Sequence, residues 1–295
     1  MISHPHVKIN LGLNVIRKRE DGFHDLETLF VPYYDISDRL EIILAEDFSH
    51  ISSELFGKYG KQEGNQGPCL VQDISEDGKL MITIARKEGI NWSPLKDLCA
   101  KAYFILAEDF ELPPVKIFLE KTSPVGAGLG GGSSDAAFAL KMITELCGLS
   151  LSTEELAVYA AKIGSDCAFF LHNEPMLGKG RGNELSLFKL NNLDYGQKGG
   201  ESSEYEIKVI TQENIHVSTA DAYRGIEPQN PALCLEKALL RPIEEWKEVV
   251  KNDFEETVFA KYPQLRIVKE SLYESGAIYA AMSGSGSALF AIYKK

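Results

Sequence analysis

The 295-residue chain contains a glycine-rich run, Pro124-Val-Gly-Ala-Gly-Leu-Gly-Gly-Gly-Ser-Ser-Asp135. Its five glycines fall within seven positions, and glycine lets a backbone adopt positive φ and approach a ligand closely. Apolar spacing predicts a helix at about 134–146, with Gly148 after its end. A helix N-terminus offers free N–H groups and a partial positive charge. The run therefore predicts a cradle for an anion such as a triphosphate.

Other interpretations of this glycine run depend on what surrounds it. Gly126, Gly128 and Gly131 fit the dinucleotide-binding pattern GxGxxG, but that pattern follows a continuously apolar parallel strand. Here the preceding strand, at 115–121, alternates and carries charges. No GK[ST] follows the glycines, and the V-A-I-K, H-R-D and D-F-G elements of protein kinases are missing. A tight turn is the remaining alternative, but ordinary turns do not need so many glycines.

The N-terminal segment Val7-Lys-Ile-Asn-Leu-Gly-Leu-Asn-Val15 alternates between apolar and polar residues. This period of two predicts a half-buried strand. Lys8 and Asn10 share its polar face, so both can enter one cleft. On pattern alone, however, Lys8 would more often be a solvated edge charge.

The rest of the chain predicts strands and helices in separate groups, which indicates an α+β fold rather than regular βαβ winding. Further strands are predicted near 26–31, 40–44, 80–84, 115–121, 205–210, 277–283 and 288–294. Further helices are predicted near 95–106, 246–250 and 262–274, and one between a capping box, Ser152-Thr-Glu-Glu155, and Gly164. Residues 46–92 look irregular and are interpreted as an insertion or mobile loop. The predicted domains are 1–165, binding ATP, and 166–295, binding substrate.

The composition limits the classes of partner. The chain has 31 Lys and Arg against 43 Asp and Glu, a net charge of −12, and no basic cluster. Nucleic acid and anionic membranes are therefore not expected as partners, whereas a small molecule is. Five scattered cysteines without metal-binding spacing indicate reduced thiols and a cytoplasmic location. No zinc site is expected, and neither metal ligands nor oligomeric state can be assigned.

The glycine run resembles the second motif of the superfamily that groups galactokinase, homoserine kinase, mevalonate kinase and phosphomevalonate kinase, roughly P-x-G-x-G-L-G-S/G-S/G-S/G-A/S. The superfamily's third motif, a C-terminal glycine-rich loop, resembles Ala281-Met-Ser-Gly-Ser-Gly-Ser-Ala-Leu-Phe290. Two rare motifs in the right order are more specific than either alone. The resemblance implies a two-domain fold with an N-terminal nucleotide-binding domain, a C-terminal ferredoxin-like domain and an active site in the cleft between them.

The N-terminal sequence resembles one branch of that superfamily, the kinases that act on 4-diphosphocytidyl-2-C-methyl-D-erythritol. The segments Lys8-Ile-Asn-Leu-Gly-Leu13 and Arg19-Glu-Asp-Gly-Phe-His-Asp-Leu-Glu-Thr28 match its patterns K-I-N-L-x-L and R-x-D-G-Y-H-x-L-x-T. Gly180-Arg-Gly-Asn-Glu-Leu185 is similar to this branch as well. The resemblance implies ATP and Mg²⁺ as cofactors and a cytidine diphosphate-linked methylerythritol as substrate.

The same resemblance implies roles for individual residues. Asp166 matches the catalytic base, although the usual Val-Pro after it is Cys-Ala here, and Lys8 matches the catalytic lysine that orients it. The residues matching the ATP site are Lys121, Pro124, Gly126, Gly128, Leu129, Gly130, Gly131, Gly132, Ser133 and Ser134. The residues matching the substrate site are Asn10, Phe23, His24, Tyr223, Ser283, Gly284, Ser285 and Gly286. Phe23 and, in a weaker alignment, Tyr223 would stack on cytosine, and His24 would hydrogen-bond it.

Several alternatives stay open at this point. Asp135 is a rival base, although a carboxylate in the first turn of a helix is favourable without catalysis. By pattern alone, Asp166 could equally be a turn aspartate, and the pattern around His24 is more typical of a surface histidine. Another kinase of the superfamily, a nucleotide-binding module without chemistry and a nicotinamide-dependent dehydrogenase are the competing functions.

Overall fold

A computed structural model describes residues 1–190, 193–196, 203–212 and 215–295 of the chain. Its strands are β1 (Ile2–Ser3), β2 (His6–Lys18), β3 (His24–Ser37), β4 (Arg39–Leu44), β5 (Glu63–Gly64), β6 (Gly67–Pro68), β7 (Leu70–Ile74), β8 (Leu80–Arg86), β9 (Val115–Lys121), β10 (Met176–Lys179), β11 (Glu184–Leu187), β12 (Leu193–Asp194), β13 (Tyr205–Ile210), β14 (Tyr279–Met282) and β15 (Leu289–Lys294). Its α-helices are α1 (Ser52–Tyr59), α2 (Leu98–Ala107), α3 (Gly131–Leu146), α4 (Thr153–Ile163), α5 (Phe169–His172), α6 (Thr219–Tyr223), α7 (Leu235–Leu239), α8 (Trp246–Val249), α9 (Phe254–Lys261) and α10 (Pro263–Glu274).

The chain forms two compact units, and each is assembled from separate stretches of sequence. Unit 1 consists of residues 1–6, 36–123 and 131–172, and unit 2 of residues 7–35, 124–130 and 173–295. These units do not follow the predicted division at 165/166, because two internal stretches of the N-terminal half group with the C-terminal half.

Unit 1 is built on a five-stranded sheet with the order β1-β4-β9-β8-β7. Neighbouring strands are antiparallel except β8 and β9, which are parallel. Two of these strands and α1 come from residues 46–92, which the sequence had suggested to be an irregular insertion or mobile loop. The strand predicted near 80–84 is confirmed as part of β8. The rest of the segment is more regular than predicted, because Leu55 and Tyr59 of α1 pack in a buried cluster with Phe118 of β9 and β7 pairs with β8.

The helices α2, α3 and α4 of unit 1 pack against one another. The predicted capping box of α4 is confirmed, because the Ser152 hydroxyl accepts from Glu155 N and the Glu155 carboxylate accepts from Ser152 N. Helix α3 begins at Gly131, three residues before the predicted start. Its first turn therefore consists of the last glycines and both serines of the glycine run.

One sheet of unit 2 has the strand order β11-β10-β3-β2. Strand β2 was expected to be half-buried, but its first ten residues are all buried. Other parts of unit 2 cover the polar face of β2. At Gly12, for example, an added β-carbon would lie only 2.5 Å from Cδ1 of Leu235. Gly12 also has a φ of +71°, which favours glycine.

The second sheet of unit 2 has the order β12-β13-β15-β14, and α10 packs against β14 and β15. Its strands contribute Ala280, Met282 and Leu289 to a core that Phe254 of α9 and Leu265 of α10 complete. The strands predicted near 205–210, 277–283 and 288–294 and the helix near 262–274 are thus confirmed.

The predicted α+β class is confirmed by these separate sheets and helices. Cys69, Cys99 and Cys167 are buried as free thiols, while Cys147 and Cys234 are partly exposed. None of the helices in the described part of the chain has the length and apolar character that a membrane span requires.

Candidate active site

The glycine run passes from unit 2 to unit 1 between Gly130 and Gly131, and each part has its own geometry. In unit 2, residues 124–130 form a loop, here named the N-terminal glycine loop. Its Gly126, Gly128 and Gly130 adopt φ values of +72°, +78° and +71°. Residues that carry a side chain rarely adopt such φ values, which explains why every second residue of the loop is glycine.

A second glycine loop in unit 2, residues 283–287, packs against the first and is named the C-terminal glycine loop. Ala288 N donates to Ala127 O at 3.0 Å, and Ser283 Oγ donates to Gly128 O at 3.1 Å. A β-carbon at Gly128 would lie 2.2 Å from Ser283 O, so the contact requires glycine there. The structure therefore joins the two motifs that the resemblance placed in the ATP and substrate sites.

Lys8 and Asn10 of β2 lie beside these loops in unit 2. The Lys8 ammonium donates to Gly128 O at 3.0 Å and to Asn10 Oδ1. Asn10 N donates to Ser283 Oγ at 3.1 Å, and Asn10 Nδ2 donates to Thr28 Oγ1 at 3.0 Å. Lys8 is 3% exposed, so the alternative of a solvated edge charge is wrong. A buried ammonium held by oxygen acceptors is suited to stabilise a neighbouring negative charge.

In unit 1, the first turn of α3 presents the last part of the glycine run. Gly132 is exposed and Ser133 is partly exposed, whereas Ser134 is buried. Among the described residues, the Ser134 hydroxyl has no hydrogen-bond partner. Buried hydroxyls normally have a partner, so this orphan oxygen fits a missing ligand or water.

Asp166 stands in a turn that lies beside this helix start in unit 1. Its carboxylate accepts from Ser165 Oγ at 3.2 Å, and its side chain is half-buried. A β-carbon at Gly164 would lie 4.0 Å from Ser133 Oγ and 3.3 Å from Sγ of Cys167. The buried Cys167 anchors the turn, and burial raises the pKa of its thiol to about 11. With Cys-Ala in place of the family's Val-Pro, the turn that carries the aspartate still lies beside Ser133 of the glycine run.

Lys121 was expected at the ATP site, and it lies inside a buried cluster of charges in unit 1. Its ammonium pairs with Asp38 and, at 2.6 Å, with Asp135. Asp38 also accepts from the backbone N of Thr122 and of Ser123, at 2.6 and 2.7 Å. The charge of Lys121 is therefore already paired with two carboxylates. A direct contact between Lys121 and a nucleotide stays a prediction.

The two carboxylates of this cluster differ in pKa. Burial raises the pKa of Asp135 well above its ordinary value, although the charge of Lys121 opposes that shift. Burial also acts on Asp38, but Lys121 and the Ser123 donors outweigh it and lower the pKa of that carboxyl. One oxygen of Asp135 has no donor among the described residues, which explains why its ionised form is the less stabilised one.

The residues expected to recognise the base lie in two aromatic contacts of unit 2. His24 stacks on Tyr223, with ring centroids 4.6 Å apart and planes 17° from parallel. Phe23 is 51% exposed, and the Arg181 guanidinium carbon lies 3.6 Å from its ring centroid. Burial, with the charge of Lys18, lowers the pKa of His24, so its neutral form can both donate and accept a hydrogen bond.

Sequence reasoning missed residues that complete these contacts. Thr28 and Arg181 lie within the family motifs, which do not reveal that Thr28 binds Asn10 and that Arg181 packs on Phe23. Asn252 lies outside every motif, yet it binds two backbone carbonyls next to Ser283. Its sequence context carries no pattern that could have singled it out.

Comparisons with known proteins find relatives of this chain in both sequence and structure. Models of the GHMP kinase N-terminal and C-terminal domains match residues 97–174 and 234–295. A solved crystal structure of a 4-(cytidine 5'-diphospho)-2C-methyl-D-erythritol kinase matches with a TM-score of 0.70 and 27% identity, covering 99% of this chain and 89% of that one. A mevalonate kinase structure, with a TM-score of 0.61 and 12% identity over 100% and 91% of the chains, shares the fold.

Two curated relatives match almost end to end. The 4-diphosphocytidyl-2-C-methyl-D-erythritol kinase of Bacteroides fragilis (strain YCH46) is 42% identical over 293 residues, or 99% of this chain and 92% of that protein. The kinase of the same name from Azobacteroides pseudotrichonymphae genomovar. CFP2 is 40% identical, over 100% and 94%. With such similarity along nearly its whole length, the chain belongs to the GHMP kinase family, in its branch of 4-diphosphocytidyl-2-C-methyl-D-erythritol kinases.

Proposed function

We propose that this protein transfers the γ-phosphate of ATP to a hydroxyl of 4-diphosphocytidyl-2-C-methyl-D-erythritol, giving the 2-phosphate in the non-mevalonate isoprenoid pathway. The observation that carries the proposal is the joined pair of glycine loops in unit 2, which Lys8 and Asn10 adjoin. Phosphoryl transfer depends mainly on alignment and charge stabilisation, and this arrangement supplies both. The names of the relatives support the acceptor alcohol.

In this proposal, backbone groups of the glycine run hold the triphosphate. Gly126 and Gly132 are exposed, and a β-carbon at Gly126 would meet nothing within 4 Å, so this backbone is open to a ligand. The free N–H groups at the start of α3 favour phosphate oxygens, as does the helix dipole. Pro124 and Leu129 act through the shape of the loop, since the Leu129 side chain is buried and Leu129 O accepts from Lys8 N.

The residues of the run also fit a magnesium ion that is held largely by phosphates. Within the described residues, no group of three or more His, Cys, Asp or Glu side chains could hold a metal ion. Mg²⁺ usually keeps several waters and uses few protein ligands beside substrate phosphates. Ser133 and Ser134 offer hydroxyls for the phosphates and their ion, and the orphan Ser134 Oγ suits such a role. The bound ion neutralises charge on the phosphate oxygens.

Asp166 and Lys8 are the proposed catalytic residues. Asp166 accepts the proton of the attacking hydroxyl. Its side chain is only half-buried, so a substrate can reach it. Lys8 stabilises the negative charge that develops on the attacking oxygen. Asp135 is not the base, because its carboxyl is buried against Lys121.

The acceptor's recognition is assigned to unit 2. Phe23 and Tyr223 stack on the cytosine, and the neutral His24 hydrogen-bonds its edge. Asn10 and the C-terminal glycine loop, with Ser283, Gly284, Ser285 and Gly286, bind the rest of the acceptor. His24 already stacks on Tyr223, so insertion of the base on that face of Tyr223 requires His24 to move.

The reaction is tested by following the phosphorus NMR spectrum of the protein with ATP, Mg²⁺ and the cytidylylated methylerythritol. We expect equal growth of ADP and of one new phosphomonoester at the 2-position. ADP with free inorganic phosphate alone, or no turnover, would contradict the proposed reaction.

A further inference from the structure

Asn252 is a buried polar residue that the proposed chemistry does not use. It is 3% exposed and lies between α8 and α9 in unit 2. Its neighbours tie this segment to β2, because Leu13 N donates to Lys251 O at 2.8 Å and Asp253 N donates to Leu13 O at 2.9 Å. These two hydrogen bonds hold the backbone on both sides of Asn252 without any contribution from its side chain.

The Asn252 side chain directs both donor hydrogens at the strand end and loop that contain Ser283. Its Nδ2 donates to Met282 O at 2.7 Å and to Gly284 O at 2.9 Å. Its Oδ1 accepts from Phe254 N at 3.0 Å. Aspartate has the same shape but no donor when ionised, so asparagine alone supplies this pattern at this length.

Ser283, which lies between the two carbonyls that Asn252 holds, connects the glycine loops. Its Oγ accepts from Asn10 N and donates to Gly128 O, each at 3.1 Å. Glu255 adds a further tie, because its Oε1 accepts from Met282 N at 2.8 Å. The backbone on both sides of Ser283 is therefore held from the segment 252–255.

We propose that Asn252 is a positioning residue that sets the C-terminal glycine loop, and with it Ser283, against Gly128 and Asn10. The inference rests on the proposed function, in which this loop binds the acceptor. Asn252 touches no reacting atom in this account and acts through Met282 and Gly284. Losing its donors shifts Ser283, so the effect appears in turnover as well as in stability.

The order of effects of two substitutions separates this role from simple packing. Asn252→Asp keeps the volume but turns a carboxylate toward two carbonyl oxygens, whereas Asn252→Ala leaves space that water can fill. A positioning role through hydrogen bonds therefore makes Asn252→Asp the more harmful variant. A packing role makes Asn252→Ala the more harmful one.

The experiment measures kcat and KM for the acceptor well below each variant's melting temperature. We expect Asn252→Asp to lower kcat/KM at least about 10-fold, the equivalent of one or two hydrogen bonds, and Asn252→Ala to lower it less. Asp253→Asn is the matched control: it adjoins Asn252 and keeps the oxygen that accepts from Val15 N, so its kinetic constants should change less than about 2-fold. Parental constants in folded Asn252→Asp, or Asn252→Ala as the worse variant, would overturn the inference.

Hydrogen exchange of the backbone N–H groups at 283–287 gives a readout that needs no substrate. We expect faster exchange in Asn252→Asp and unchanged exchange in Asp253→Asn, and equal exchange in both variants would count against the role. If Asn252→Asp does not fold, Asn252→Ser, which keeps one donor, replaces it, and parental constants and exchange in that variant overturn the role. An inactive parent enzyme refutes the proposed function alone, since the exchange comparison still decides the role of Asn252.

Discussion

Gly126 has space for a side chain but a backbone that disfavours one. Its φ is +72°, and a β-carbon there meets no protein atom within 4 Å. We expect Gly126→Ala to raise the KM for ATP at least about 10-fold, because the new methyl group occupies space that the phosphates need. Steady-state kinetics with varied ATP would measure this.

Gly148 provides the control for that substitution, since it has a φ of +67° and equally open surroundings but lies outside the glycine run. Both alanine variants should lose about 1 kcal/mol of stability from backbone strain. Only Gly126→Ala should lose ATP affinity. The same KM for ATP in both variants would remove the N-terminal glycine loop from the nucleotide site.

Asp166 and Asp135 make a contrasting pair of carboxylates. Asparagine keeps the shape of aspartate but cannot accept the substrate proton. We expect Asp166→Asn to lower kcat by at least about 10² with little change in either KM, because a positioned base is worth about 10²–10⁴ in rate. Asp135→Asn should lower kcat much less. If Asp135→Asn abolishes turnover and Asp166→Asn does not, the base has been assigned to the wrong residue.

Phe23 presents a ring that is 51% exposed and carries the Arg181 guanidinium against it. If it stacks on cytosine, Phe23→Ala should cost roughly 1–3 kcal/mol in acceptor binding, as base–aromatic stacking does elsewhere. The KM for the acceptor should then rise about 10-fold or more, while the KM for ATP stays nearly constant. Phe48→Ala serves as the control, because the Phe48 ring is 92% exposed and lies in unit 1. Equal changes in both Michaelis constants for Phe23→Ala would indicate a packing role.

Residues whose role depends on local backbone could be predicted from the sequence, whereas residues with distant partners could not. Gly126, Gly128 and Gly130 adopt the positive φ that their pattern suggested. Asn252 binds carbonyls 30 and 32 residues further along the chain, so no local pattern reveals it. Alternation alone predicted that Lys8 and Asn10 share a face, but their roles in the predicted site came only from the family resemblance.

At the scale of elements, the start of α3 is held by the buried charges of unit 1. A β-carbon at Gly131 would lie 2.4 Å from Ser123 Oγ and 3.5 Å from the Lys121 ammonium. The first turn of α3 therefore packs directly on the end of β9. The charges that act on Asp135 are those of Lys121, Asp38 and Asp97.

This cluster predicts a pH dependence of stability. The raised pKa of Asp135 means that the folded protein binds a proton that the unfolded chain releases above its ordinary pKa. The contribution of Asp135 to the free energy of unfolding is complete below the ordinary pKa of an aspartate, and it is lost as the pH rises through the raised pKa. Asp135→Asn is always neutral, so its free energy of unfolding should gain on that of the parent as the pH rises. Urea unfolding from about pH 5 to about pH 8 would measure the difference, and a constant difference would contradict the prediction.

The positions of strands and helices could be predicted better than their burial. Strands β2 and β9 were predicted by alternation, but most side chains of their polar faces are buried as well. In β9, Glu120 accepts hydrogen bonds from Lys58 and Tyr59 of α1, about sixty residues earlier, at 2.8 and 2.9 Å. Alternation reports which face is polar, but it does not report which distant group pairs with that face.

At the scale of the molecule, the order of elements along the chain hides the composition of the units. The β2–β3 segment and the N-terminal glycine loop belong to unit 2, although the stretches around them belong to unit 1. A continuous division of the chain could not anticipate this, because it depends on strand pairing such as that of β3 with β10, far apart in sequence. The α+β class and the family could be predicted, since both depend on local patterns and motifs.

The choice of acceptor alcohol shows whether the protein recognises the cytidine part of its substrate. ADP release should be measured with the cytidylylated methylerythritol, mevalonate and homoserine as alternative acceptors under identical conditions. A site that stacks and hydrogen-bonds cytosine should favour the first by at least about 10² in kcat/KM over acceptors that lack the base. Equal or greater kcat/KM with mevalonate or homoserine would contradict the account.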